Sequence, residues 1–195
     1  MKVGVLAIQG DFAAHARALA PLGVETVEVR RSEQLADIDG LIIPGGESTT
    51  ILKVMREEQM IEPIKDFARA GMTIFGTCAG AILLARDVRN PSQESLGLID
   101  ITVERNSYGR QIDSFIGQAE TTLGENPLEA VFIRAPRIIN TGPGVEVLST
   151  IDGEPVMVKQ DNILAATFHP ELTADIRVHS FFIEMASLIP AAVTG

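Results

Sequence analysis

The chain has 195 residues, of which 16 are basic and 26 acidic, giving a formal charge of −10. Apolar residues at 46% and charged residues at 22% describe a chain that can bury a core, which excludes a disordered tail, a collagen-like fibre and a disulfide-rich scaffold. The acidic excess argues against a surface that grips nucleic acid or anionic lipid through counterion release.

One cysteine, Cys78, cannot form an internal disulfide, and three histidines (His15, His169, His179) do not make a zinc-finger ligand set. A reducing cytoplasm is the compartment these counts suit. The apolar start at residues 3–6 is too short for a secretory signal. The longest uncharged stretch, residues 70–85, contains three glycines and falls short of the roughly 20 apolar residues a membrane span requires.

Along the first half, strand and helix patterns alternate. Residues 2–9 read as a buried strand and residues 12–22 as an Ala-rich helix closed by Gly23. Residues 24–29 make a second strand, a short helix follows with Ser32 as its N-cap, and residues 40–43 form a third strand ending at Pro44. Helices are expected at residues 49–58 and 60–70, with Gly71 as a stop, then a strand at residues 72–76 running into a helix at residues 81–85. This order predicts an α/β fold of flavodoxin-like, three-layer, doubly wound type with a mostly parallel sheet.

After about Asn90 the pattern changes to short β-branched segments broken by Gly, Pro and Asn, at residues 101–103, 120–122, 131–133, 138–140, 145–151, 155–159 and 163–168. These read as an antiparallel extension of the sheet or a small side layer, and residues 173–188 as a closing helix. With no repeat, low-complexity tract or long linker, residues 1–195 are expected to form one domain.

Gly76-Thr77-Cys78-Ala79-Gly80 lies between a predicted strand and a predicted helix, with the G-x-nucleophile-x-G spacing of a strand-to-helix elbow. Glycines on either side let backbone pass close to the turn, and the following helix start favours a thiolate at Cys78. His169-Pro170-Glu171, at the end of the last predicted strand, supplies a base and an orienting carboxylate on one side of the chain. Pro44-Gly45-Gly46-Glu47-Ser48 follows a strand's carboxyl end, where backbone N–H groups of Gly46, together with that of Ala79, suit an oxyanion. His15 and His179 fall in helical patterns with no carboxylate at useful spacing and read as ordinary helix histidines.

The elbow and the distant His-Pro-Glu resemble the class I, triad-type glutamine amidotransferases. Further segments are similar to one branch, the glutaminase subunits of the deoxyxylulose-independent pyridoxal 5′-phosphate synthases: Leu6-Ala7-Ile8-Gln9-Gly10-Asp11, Pro44-Gly45-Gly46-Glu47-Ser48-Thr49-Thr50, Arg105-Asn106-Ser107-Tyr108-Gly109-Arg110-Gln111 and Phe132-Ile133-Arg134-Ala135-Pro136. The resemblance implies that Cys78 is the nucleophile, His169 the general base and acid, and Glu171 its orienter. It places Gly46, Glu47 and Ser48 around L-glutamine, with Arg105, Ile133 and Arg134 completing the pocket, and makes Gln9 and Gly10 a loop that rearranges when a partner docks. The implied partner is a (β/α)8-barrel synthase subunit in a hetero-oligomer, to which ammonia passes for condensation with ribose 5-phosphate and glyceraldehyde 3-phosphate. The implied glutaminase needs no metal and no bound cofactor, and is weakly active until the partner binds.

Two other readings compete. The glutaminase subunits of imidazole glycerol phosphate synthase share the elbow, the His-Pro-Glu pair and a barrel partner, but Gly46-Glu47-Ser48-Thr49 and the segment from Arg105 to Gln111 speak against them. A non-enzymatic, chaperone-like protein of the same fold keeps an elbow cysteine without needing the base and orienter at His169 and Glu171.

Overall fold

The computed structural model describes residues 1–105 and 114–188. In chain order these residues form β1 (Lys2–Leu6), α1 (Phe12–Leu19), β2 (Glu25–Val29), β3 (Gly40–Ile43), α2 (Ser48–Glu57), α3 (Ile61–Arg69), β4 (Thr73–Thr77) and α4 (Ala79–Leu84). There follow β5 (Ala85–Arg89), β6 (Ile99–Glu104), β7 (Ser114–Thr121), β8 (Leu128–Ile133), β9 (Arg137–Thr141), β10 (Glu146–Ile151), β11 (Glu154–Gln160), β12 (Ile163–Ala166) and α5 (Arg177–Ser187).

Nine strands make one sheet in the order β2-β1-β3-β4-β12-β11-β10-β7-β8. The first five run parallel, the remainder antiparallel. The parallel part has the 2-1-3-4-5 order of doubly wound flavodoxin-like sheets, so the expected fold class is the observed one. The β-rich second half forms both expected alternatives at once. It extends the main sheet and also builds a small second sheet, β5-β6-β9.

Side-chain alternation along the parallel strands feeds two cores. Val3, Val5, Ile42, Phe75 and Leu164 point to the side covered by α1 and α5, where Leu19, Val178 and Phe182 meet them. Leu6, Leu41, Ile43, Ile74 and Ile163 point to the opposite side, against Ile51, Met55, Ile64 and Leu83 of α2, α3 and α4. Burial on both faces explains why the inner strands β3 and β12 are apolar without a break, whereas the edge strand β2 carries Glu25 and Glu28. Each fully buried side chain such as Phe75 contributes roughly 1.5–3 kcal/mol relative to exposure.

Several element boundaries differ from those the sequence predicts. β1 stops at Leu6, because the Ala7 carbonyl accepts from the Arg30 guanidinium at 2.9 Å and the chain leaves the sheet as a loop. The short helix at Ser32 is a 3₁₀ turn, Ser32–Asp37, capped by Arg31 rather than Ser32; the Gln34 side chain accepts the Arg30 and Arg31 N–H groups. The closing helix starts at Arg177 because Thr173 and Asp175 side chains accept the N–H groups of Asp175 and Arg177, holding a turn ahead of it. β5 went unanticipated, since its Arg86, Asp87 and Arg89 obscure the two buried residues, Ala85 and Val88. Gly23 and Gly71 do stop their helices, with φ of 69° and 86°.

Three strand ends lie level in the sheet. Ile43 pairs with Gly76 and Ala166 pairs with Thr77, so β3, β4 and β12 finish side by side at their carboxyl ends. α4 leaves β4 so tightly that a Cβ on Gly80 would sit on the Ile43 carbonyl oxygen, and one on Gly76 would lie 2.6 Å from the Gly80 carbonyl carbon. Gly80→Ala is therefore expected to destabilise the fold by roughly 2 kcal/mol or more. Urea unfolding checks this; a loss under about 0.5 kcal/mol, the range of an ordinary surface change, would mean that α4 can shift away from β3 without penalty.

Candidate active site

Four loops leave the carboxyl ends of neighbouring parallel strands and meet: Gln9-Gly10 after β1, Gly45-Gly46-Glu47 after β3, Cys78 after β4 and His169 after β12. Open α/β sheets bind ligands along this edge. Cys78 takes φ 49° and ψ −103°, an unusual backbone for a non-glycine residue, and its Sγ lies 3.9 Å from the Ile133 carbonyl oxygen. The His169 N–H donates to the Val131 carbonyl at 2.8 Å, tying the base to β8. Its ring Nδ1 is 2.7 Å from Glu171 Oε1, and the Cys78 side chain is the ring's other electrostatic partner. The i, i+2 contact expected of an extended chain is made instead by a 3₁₀ turn, Pro170–Leu172, which folds the nearly buried Glu171 carboxylate beneath the imidazole.

The glycine loop is fitted to this pair. A Cβ on Gly45 would lie 2.5 Å from His169 Cε1 and 3.5 Å from Cys78 Cβ, so only glycine leaves room for both side chains. Gly10 approaches the Gly45 carbonyl so closely that a Cβ would overlap it, and has φ +104°. Gln9 Oε1 accepts the Glu47 N–H at 3.1 Å. The Gln9-Gly10 loop is thus keyed to the backbone that borders Cys78.

Cys78, Ala79, His169 and Glu171 line one cavity of about 600 Å³ together with Gln9, Gly10, Gly46, Glu47, Ser48, Arg105, Ile133 and Arg134. Every residue to which the resemblance assigns a role borders the same space. Their side chains differ in what they offer it. Glu47 caps α2, accepting from the N–H and hydroxyl groups of Thr49 and Thr50, and pairs with Arg105 at 3.3 Å. Ser48 donates its hydroxyl to Gln93 at 2.7 Å, which leaves its backbone as its contribution to the cavity. Arg134 follows β8 with φ 43°, and no ion pair among the described residues engages it. The segment from Asn106 to Gln111 lies outside the described residues.

Charge is strongly ordered around Cys78, His169 and Glu171. Burial would lower the pKa of His169, but its contacts with Cys78 and Glu171 prevail and raise it to about 10. Burial would raise Glu171, yet the hydrogen bond from His169 holds it below the usual carboxylate range. The Thr49 hydroxyl, aided by Thr50, brings Glu47 down to about 2. Among the described residues no group of three or more His, Cys, Asp and Glu is arranged to hold a metal. Nor, among them, is any helix long and apolar enough to cross a membrane.

His15 corrects the sequence reading. It is not an ordinary helix histidine: α1 buries it fully beneath the sheet edge, with Nε2 3.5 Å from Glu171 Oε2 and 3.2 Å from Thr77 Oγ1. His179 of α5 joins it, Nε2 to His15 Nδ1 at 3.1 Å. Burial lowers the pKa of both rings, that of His179 to about 3. No local signal announces these contacts, which join residues from distant parts of the chain. Gly45 likewise read only as part of a turn.

The pattern of the SNO glutamine amidotransferase family matches residues 5–188. The chain belongs to that family. Among curated relatives, the pyridoxal 5′-phosphate synthase subunit PdxT of Thermotoga maritima is 55% identical, covering 95% of this chain and 99% of its own. The PdxT subunit of Carboxydothermus hydrogenoformans is 52% identical over 94% of this chain and 97% of its own. A crystal structure of a glutamine amidotransferase superposes with a TM-score of 0.90 at 47% identity, over 95% of this chain and 99% of the other. The PurLQS structure from Thermotoga maritima, at 18% identity and a TM-score of 0.74 over 94% of this chain and 97% of the other, shares the fold.

Two measurements test the electrostatics of the family site. Cys78→Ala removes the first contact that keeps a proton on His169, so its pKa is expected to fall well below about 10, read from ring resonances in an NMR titration; an unchanged value would detach the two side chains. His179 is protonated in the unfolded chain near 6.5 but in the fold only near 3, so the unfolded state binds more protons between these values. Stability is therefore present above pH 6.5 and lost as pH falls toward 3. His179→Phe should flatten this fall in urea unfolding by up to ~1.4 kcal/mol per pH unit.

Proposed function

We propose that this chain is the glutaminase subunit of a pyridoxal 5′-phosphate synthase, with Cys78, His169 and Glu171 as its triad. The observation that carries the reading is the hydrogen-bonded His169–Glu171 pair set beside Cys78 at the level ends of β4 and β12. It is supported by extensive identity to proteins named as subunits of that synthase.

In the proposed reaction the Cys78 sulfur attacks the side-chain amide carbon of L-glutamine. The carbonyl electrons move onto oxygen, which rests on backbone N–H groups of Gly46 and Ala79. On collapse the C–N bond breaks, His169 gives its proton to the departing nitrogen as ammonia leaves, and a γ-glutamyl thioester remains. His169, now neutral, takes a proton from water as it attacks the thioester, releasing glutamate and restoring the sulfur–imidazolium pair. Glu171 holds the ring through Nδ1 and stabilises its charge in both halves.

Binding follows from the cavity's charges. Arg134, unclaimed by any ion pair among the described residues, is placed to receive the α-carboxylate, since a guanidinium forms paired N–H bonds to carboxylates. Arg105 is already committed to Glu47, and the two together wall the substrate's amino-acid end. The partner is a barrel-type synthase subunit that takes the ammonia and joins it to ribose 5-phosphate and glyceraldehyde 3-phosphate, in a cytoplasmic hetero-oligomer. Because Gly10 presses on Gly45 and Gln9 holds Glu47, a partner that moves this loop moves the oxyanion backbone with it.

Reconstitution with the synthase subunit tests the reading. Ammonia release from glutamine is expected to rise on adding the partner, and Cys78→Ala should abolish glutamine-dependent pyridoxal 5′-phosphate formation while sparing synthesis from ammonium. Glutamine-dependent synthesis by Cys78→Ala would remove the nucleophile assignment; full glutaminase activity of the chain alone would remove the gating.

A further inference from the structure

We propose that His15 is a positioning residue for the triad: its Nε2–H, from beneath the sheet edge, holds the second oxygen of Glu171 and so fixes the carboxylate that orients His169. The proposal rests on the triad reading above and extends it by one residue. Glu171 Oε1 is taken by His169 Nδ1 at 2.7 Å. Oε2 is buried and has no hydrogen-bond partner at ordinary distance; its neighbour is His15 Nε2 at 3.5 Å. A buried carboxylate oxygen without a donor is costly, and a small approach of the ring, or of the turn Pro170–Leu172, closes this bond.

Counting protons identifies the tautomer. A lone pair on His15 Nε2 would face a carboxylate, which is repulsive, so Nε2 carries the hydrogen and shares it between Glu171 Oε2 and Thr77 Oγ1, the residue before the nucleophile. His15 Nδ1 is then an acceptor, and His179 Nε2 donates to it at 3.1 Å. His179 Nδ1 is left with no partner, a bare acceptor rather than an orphaned N–H. The series therefore runs His179, His15, Glu171, His169, Cys78: the two buried histidines donate in turn toward Glu171, whose carboxylate accepts from His15 on one oxygen and from His169 Nδ1–H on the other.

His15 acts here as a neutral donor, not as a counter-ion. Glu171 and His169 face it from the segment after β12, His179 from α5, and Asp11 from the start of its own helix, while β4 presents only Thr77 and the edge of Phe75. Full burial outweighs the attraction of Glu171 and lowers its pKa, which keeps the ring uncharged through neutral pH.

The test uses the reconstituted complex, reading glutamine hydrolysis by kcat, KM and pH profile, with the folded fraction of each variant taken from thermal melting. His15→Leu removes the donor and is expected to lower kcat on the order of 10-fold or more with little change in KM, and to move the acid limb of the kcat profile upward, because an unsatisfied Glu171 keeps its proton to higher pH. His15→Gln places an amide N–H near the lost Nε2 and should restore kcat and the profile. His15→Asn reaches His179 but not Glu171, and should stay impaired, which decides the question even if the Leu variant does not fold. In a Glu171→Gln background His15→Leu should cost little more, as groups acting through one another are not additive. A folded His15→Leu with parental kcat and profile, equal activity of Gln and Asn variants, or full additivity would make His15 a core residue only. Parental activity of Glu171→Gln itself would instead remove the triad reading.

Discussion

The site depends on the close passage of α4 across the sheet, with Gly80 against the Ile43 carbonyl. Because the helix begins one residue after the nucleophile, Cys78 has no room to relax out of its left-handed backbone. Such a conformation costs on the order of 1–3 kcal/mol and persists only when the surroundings impose it. Here β4 is hydrogen-bonded on both sides, to β3 and to β12, and the Cys78 N–H donates to the Ala166 carbonyl at 2.8 Å. The clamp that strains the cysteine also sets the height of His169, since β12 supplies both the bonding partner and the base. Cys78 and His169 are thus placed by strand register rather than by the loops that carry them.

From that register the buried polar chemistry follows. Helix α1 and the turn after β12 pack together under the sheet edge, which brings His15, Thr77 and Glu171 into one buried cluster. In low dielectric such a cluster has to satisfy its own members, and its hydrogen bonds strengthen one another when it does. The same economy appears on the open side, where Glu47 serves at once as the cap of α2, the partner of Arg105 and the anchor point for Gln9. Backbone beside Cys78, the start of a helix and the wall of the cavity are therefore joined through one residue.

Most of the fold was legible in the sequence because its signals are local. Alternating strands and helices, Gly23 and Gly71 as stops, and the elbow spacing around Cys78 each reflect interactions within a few residues. The His169–Glu171 contact and the elbow were legible for the same reason: His169 and Glu171 lie two apart, and Gly76 to Gly80 is a continuous motif. What escaped was tertiary. His15 meets Glu171 from the far end of the chain, and nothing near it in sequence separates it from a solvent-facing helix histidine. The role of Gly45 belongs to a neighbour, the His169 ring, that arrives from another strand. β5 was hidden because three of its five side chains are charged, so its pairing with β6, not its burial pattern, makes it a strand.

Backbone strain distinguishes the two sides of the cavity from ordinary turns. Of the non-glycine residues with positive φ, Asn90, Asp152 and Asp161 are types whose short polar side chains tolerate that region. Gln59, Cys78 and Arg134 are not such types; Gln59 lies just past the end of α2, while Cys78 and Arg134 border the cavity. At Cys78 the strain is imposed by α4. At Arg134 it follows directly on β8, whose last carbonyl, that of Ile133, lies 3.9 Å from the Cys78 sulfur. The turn thus begins beside the Cys78 sulfur and carries a guanidinium to the cavity at the point where an extended chain would continue past it. In a chain with 26 acidic side chains and 16 basic ones, a cation left without an ion pair among the described residues has many potential partners and takes none of them. The strained backbone is a cost the fold bears at this residue, while the exposed, hydrated guanidinium stays open to the carboxylate of the amino acid that the proposed reaction would bind.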